Sequence, residues 1–102
     1  MKNEYGIEED IFNNILDTFK SIEEIERVIL FGSRAKNTYK NTSDIDLAVK
    51  FKKIDKKLLL IRKLDEIKCI LKFDVLNLDN ISNEKLLENI KKEGKVIYIN
   101  KE

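Results

Sequence analysis

The sequence predicts an α/β or α+β domain built on a small sheet, and three observations carry that reading. Helical and strand-like patterns alternate along the chain in the order α-β-α-β-α-β-α-β. The strand-like runs are short and apolar, and the first ends abruptly at Gly32. No internal repeat, linker or low-complexity block interrupts the 102 residues, so residues 1–102 are expected to form one domain.

The elements follow in order. Ile7, Ile11, Ile15, Leu16 and Phe19 recur at helical spacing over residues 7–20, with acids early and Lys20 late, which suits the helix dipole. Residues 27–31, Arg-Val-Ile-Leu-Phe, form a run that reads as a buried strand. A short helix is expected after Gly32, then a polar loop to Thr42. Residues 45–51 form a second strand. Leu60, Ile61, Leu64, Ile67 and Leu71 share one face of a helix over 55–71, with Asp55 as a plausible N-cap. Residues 72–78 are a third strand. Ser82 or Asn83 is positioned to cap a fourth helix holding Leu86, Leu87 and Ile90, with Gly94 as its stop. Val96–Ile99 is a last short strand.

Composition narrows the chemistry. An apolar fraction of 42% supports a modest core despite 38% charge. Twenty basic and 19 acidic residues leave a net charge of +1, without the basic excess of a duplex binder, so direct nucleic-acid binding is not expected. There is no histidine, and Cys69 is the only cysteine. Ser-His-Asp and Cys-His catalysis, intrachain disulfides and multi-cysteine zinc sites are therefore excluded. No long apolar run exists, and the N-terminus is acidic and polar, so a soluble, cytoplasmic protein without membrane contact is expected.

Asp44 and Asp46 flank Ile45 at the mouth of the second strand. Extended residues i and i+2 point to one side, so the carboxylates would sit side by side. Such neighbours repel, and a magnesium ion relieves the repulsion while also taking phosphate oxygens. The alternative is that Asp44 caps a turn and Asp46 is simply exposed. Gly32-Ser33 follows a strand directly. There a glycine lets backbone approach a ligand, and the first N–H groups of a helix suit a phosphate. A plain turn with a serine cap is the alternative. Arg34 could clamp the same phosphates or make a surface ion pair. Asp74 lies between Phe73 and Val75. An ionised carboxylate in a buried strand is unfavourable unless paired or bound to metal; on an edge strand it would be merely exposed. Tyr39 reads as a solvated loop residue and Cys69 as a small core residue.

The segment Leu30-Phe31-Gly32-Ser33-Arg34-Ala35, followed by Ser43-Asp44-Ile45-Asp46-Leu47, resembles the signature of the polymerase-β-like nucleotidyltransferases. Within them it is similar to the minimal nucleotidyltransferases, often encoded beside a HEPN protein as a toxin–antitoxin pair. Phe73-Asp74-Val75-Leu76 and the ending Glu93-Gly94-Lys95-Val96-Ile97-Tyr98 extend the likeness over nearly the whole chain. The resemblance implies a small mixed sheet flanked by helices. It implies that Gly32 and Ser33 hold the nucleotide triphosphate, and Arg34 is expected to bind the nucleotide beside them. Asp44 and Asp46 would bind two Mg2+ ions, with Asp74 completing the site and helping to take the acceptor's proton. Where the family often has Arg-Gly after the alanine, this chain has Lys36-Asn37. Lysine keeps the charge but loses the planar fork, and Asn37 can adopt the left-handed conformation that a glycine would supply.

The larger members carry extra domains that grip the acceptor; none is expected here, so a partner would bring it. The resemblance implies AMP transfer from ATP to a tyrosine of a partner HEPN ribonuclease toxin, silencing it. A binding-only antitoxin is the alternative. Transfer to an antibiotic or to RNA is a third reading, weakened by the near-neutral charge.

Overall fold

The structure, a computed structural model, describes residues 1–101; Glu102, the last residue of the expected domain, lies outside them. The described elements are α1 (Glu9–Lys20), β1 (Ile25–Phe31), α2 (Ser33–Lys36), β2 (Ile45–Phe51), α3 (Lys57–Asp65), β3 (Phe73–Asn77), α4 (Glu84–Glu93) and β4 (Lys95–Ile99), with a short 3-10 turn at Leu78–Asn80. The four strands make one mixed sheet in the order β3-β2-β1-β4. β1 pairs antiparallel with β2 and β4, and β2 pairs parallel with β3. The parallel pair needs a crossover, and α3 supplies it. The expected element order and mixed sheet are thus observed.

One face of the sheet carries the main core. Ile15 and Phe19 of α1 and Leu60 and Leu64 of α3 pack there with Val28, Leu30, Leu47 and Val49. The opposite face has a smaller cluster, in which Ile90 of α4 covers Ile29 and Ala48. Central β2 is therefore buried on both faces, and Leu47, Ala48 and Val49 expose no surface. Ala48 does continue the Asp46 face, but it lies under α4.

Several boundaries differ from expectation for identifiable reasons. α1 begins at Glu9, because the chain before it forms its own turn: Asn3 Oδ1 accepts from the amides of Tyr5 and Ile7 at 2.9 and 3.1 Å. α3 ends at Asp65, short of the expected 71. Ile67 and Leu71 still pack against the core, but from the connection that returns the chain to β3. Asp55 stands before α3 rather than at its cap position. It accepts from the Lys57 amide at 2.7 Å and from Asn77 Nδ2 at 2.9 Å. Asn83, not Ser82, caps α4, accepting from Leu86 N at 3.1 Å. Gly94 ends α4 with an ordinary negative φ; a side chain there would run into Ile90 O and Ile29. Cys69 is half-buried rather than a core residue.

Candidate nucleotide and metal site

β1 ends and β2 begins at the same margin of the sheet. Phe31, the last residue of β1, is the register partner of Asp46, so Gly32 arrives directly beside that carboxylate. A Cβ on Gly32 would collide with Asp46 Oδ2. Gly32 has φ 76° and ψ −157°, a region open in practice only to glycine. Both facts demand glycine at this position. Ser33 then opens the single turn of α2. The turn closes on Asn37, which has φ 61°, the left-handed conformation expected of it. Among the described residues the half-buried Ser33 makes no side-chain hydrogen bond.

In the parallel pair, Asp46 is the register partner of Asp74. Neighbouring strands lie about 4.8 Å apart, and register partners share a face. Asp44, two residues before Asp46, is exposed at the strand's mouth. The Asp46 carboxyl is pushed up from 3.8 to about 6, first by burial, then by the charges of Asp74 and Asp44. Of the two readings of Asp74, the structure shows the exposed one on an edge strand. That exposure removes the desolvation argument but not its position beside Asp46.

Arg34 requires the larger correction: it is neither a free clamp for phosphates nor part of a surface ion pair. It is 1% exposed, and its guanidinium donates to five backbone carbonyls. Nε reaches Ser43 O at 3.0 Å, and Nη1 reaches Tyr5 O and Gly6 O at 3.0 and 3.1 Å. Nη2 reaches Asn41 O and Lys40 O at 3.3 and 3.5 Å. The cation also lies 5.1 Å from the centre of the Tyr39 ring. Tyr39 is thus half-buried against the guanidinium rather than free in the loop. Lys36 points to Glu93 at 3.9 Å, and Lys50 pairs with Asp79 at 2.8 Å. Sequence reasoning missed the contribution of Asn3, Tyr5 and Gly6. The visible cue was Gly6 itself, one of only three glycines, near an asparagine able to organise a turn.

The arrangement matches a known family. The family model "Polymerase beta, Nucleotidyltransferase" matches residues 13–102. The chain belongs to the polymerase-β nucleotidyltransferase family. Solved structures agree with this nucleotidyltransferase fold. A chain of a toxin–antitoxin complex with AMP-PNP is 26% identical, with a TM-score of 0.70, over 87% of this chain and 73% of that one. A chain of the MntA–HepT toxin–antitoxin complex is 23% identical, with a TM-score of 0.65, over 91% of this chain and 74% of that one. A chain of the complex between tri-AMPylated Shewanella oneidensis HEPN toxin and MNT antitoxin is 23% identical, with a TM-score of 0.64, over 88% and 71%. No curated protein gives a significant match.

The donor set of this nucleotidyltransferase domain suits a hard divalent cation. Asp44, Asp46 and Asp74 offer only oxygen ligands. Among the described residues none of the three carboxylates has an ion-pair or hydrogen-bond partner, and Asp46 carries the electrostatic strain of that arrangement. Among the described residues the acids are not drawn into a ready-made metal cage. No described helix is long and apolar enough to cross a membrane.

Proposed function

We propose that this domain is a magnesium-dependent nucleotidyltransferase that moves AMP from ATP onto a tyrosine of a co-encoded HEPN ribonuclease, acting as that toxin's antitoxin. The observation that carries this reading is the approach of Gly32 to Asp46, on a strand whose register sets Asp74 beside Asp46. A turn that lets backbone approach phosphate and a set of uncompensated acids share one sheet margin. The substrate and partner are supported by the resemblance to a toxin–antitoxin complex holding AMP-PNP and to a complex whose HEPN toxin is AMPylated.

Asp44, Asp46 and Asp74 would hold the metal, with side-chain rotation closing the set, because the backbone register is already matched. Bound magnesium would neutralise the triphosphate and align the acceptor with the α-phosphorus. The amide and hydroxyl of Ser33 would donate to phosphate oxygens. The tyrosine oxygen bonds to the α-phosphorus while the bond to the bridging oxygen breaks, and pyrophosphate leaves with the electron pair. Asp74, exposed on the edge strand, is open to an arriving acceptor and would take the hydroxyl proton.

Labelled ATP and Mg2+ with the co-encoded partner provide the test. Label should pass to the partner and be lost in Asp44→Ala plus Asp46→Ala. No transfer by the parent protein would overturn the reading. A second reading, neutralisation by complex formation alone, is favoured by exposed apolar side chains such as Leu58, Val96 and Ile99. Protection from the toxin by a variant lacking all three aspartates would support it.

A further inference from the structure

We infer that Arg34 is a positioning residue that clasps the N-terminal segment to the Ser33–Asp44 loop, making residues 3–7 part of the nucleotide site's support; this rests on the site reading above. Arg34 follows Ser33 directly, and its Nε holds the carbonyl of Ser43, the residue before Asp44. One side chain therefore ties together both ends of the loop that separates the phosphate turn from the first carboxylate. Its other end holds the carbonyls of Tyr5 and Gly6, which the Asn3 turn presents to it.

The clasp is built to a tight fit. Gly6 is buried, with φ 72°, and a Cβ there would strike the Tyr39 ring that lies against the guanidinium. Lys40 N donates to Ser43 Oγ at 2.8 Å, closing the same loop from within. Among the described residues no carboxylate pairs with Arg34. Its charge is met by carbonyl dipoles alone, so all five donors are committed to shaping backbone. A lysine could not span these carbonyls. The family model's match begins at residue 13, after the segment that completes the clasp.

The test compares Arg34→Met, Arg34→Lys and Asn3→Ala with the parent protein. In amide NMR spectra of the metal-free protein, Arg34→Met shifts residues 40–44 together with Tyr5 and Gly6. Asn3→Ala removes the acceptor that shapes the N-terminal turn and also moves 40–44. The affinity for Mn2+ with a non-hydrolysable ATP analogue falls about 10–100-fold in Arg34→Met, the range for residues that orient metal ligands, and partly recovers in Arg34→Lys. Ile15→Val, a mild change in the core under α1, keeps the parent affinity and separates positioning from general stability. Parent-like 40–44 amides in Asn3→Ala, or parent-like affinity in folded Arg34→Met, overturns the inference. If Arg34→Met does not fold, Asn3→Ala and Arg34→Lys decide it by the same readings. If the parent binds no Mn2+-nucleotide, the site reading fails, while the amide shifts still decide the clasp.

Discussion

Asp46 is ionised against opposition, since burial and two neighbouring carboxylates all favour its protonated form. Its folded pKa of about 6 lies above the ordinary 3.8, so between those values the folded state holds more protons than the unfolded one. Stability therefore falls as pH rises through that window, and the full penalty stands above it. Asp46→Asn should stabilise the metal-free domain at pH 7.5, on the order of 1 kcal/mol after discounting for solvent access, and change little near pH 4. Urea midpoints at the two pH values, in chelator, check this; equal effects at both would contradict it. Gly32 tests the same contact from the other side. Gly32→Ala should cost about 1–3 kcal/mol from backbone strain alone, besides displacing the Asp46 carboxylate, and thermal melts would read it. The sequence already marked both residues, because glycine after a strand and acids at i and i+2 have direct geometric meanings. It could not distinguish Arg34 as a ligand from Arg34 as a clasp. That difference depends on carbonyls of Tyr5 and Gly6, remote in the chain and brought in by folding.

The elements were legible where packing follows local period and obscure where it does not. Ile67 and Leu71 continue the helical spacing of α3, yet they belong to the connection after it. Residues can reach the same core from a helix or from a loop, so period alone does not mark where α3 stops. Asp74 shows the converse. An apolar run suggests burial, but sheet order puts β3 at an edge, and sheet order is a long-range property. Ser82 or Asn83 with Leu86, Leu87 and Ile90 marks the fourth helix in the sequence, and the structure selects Asn83 as its cap. Ile90 is the one fully buried residue of α4 and covers Ile29 and Ala48. Ile90→Ala should cost about 2–5 kcal/mol, the range for emptying a buried aliphatic site. Asn83→Ala should cost about 1 kcal/mol through the lost cap. Hydrogen exchange would separate them: the first loosens the whole helix, the second mainly its first turn.

At the scale of the whole molecule, a chain of this length has little stability to spare, so ligand binding should be visible as stability. The acids destabilise the metal-free fold, and the proposed ligands relieve that repulsion only when bound. A ligand selective for the folded state at about 100 times its dissociation constant adds about 2.7 kcal/mol. For a domain of this size each kcal/mol moves the melting temperature about 4–8 °C. Mg2+ and ATP together should therefore raise it by more than either alone. Asp44→Ala plus Asp46→Ala should abolish the shift while itself melting no lower than the parent in chelator, because it removes like charges rather than core contacts. An undiminished ligand shift in that variant would place the nucleotide elsewhere on the molecule. A lost shift with a lower melting point in chelator would mean that the acids support the fold, contrary to the electrostatics of Asp46.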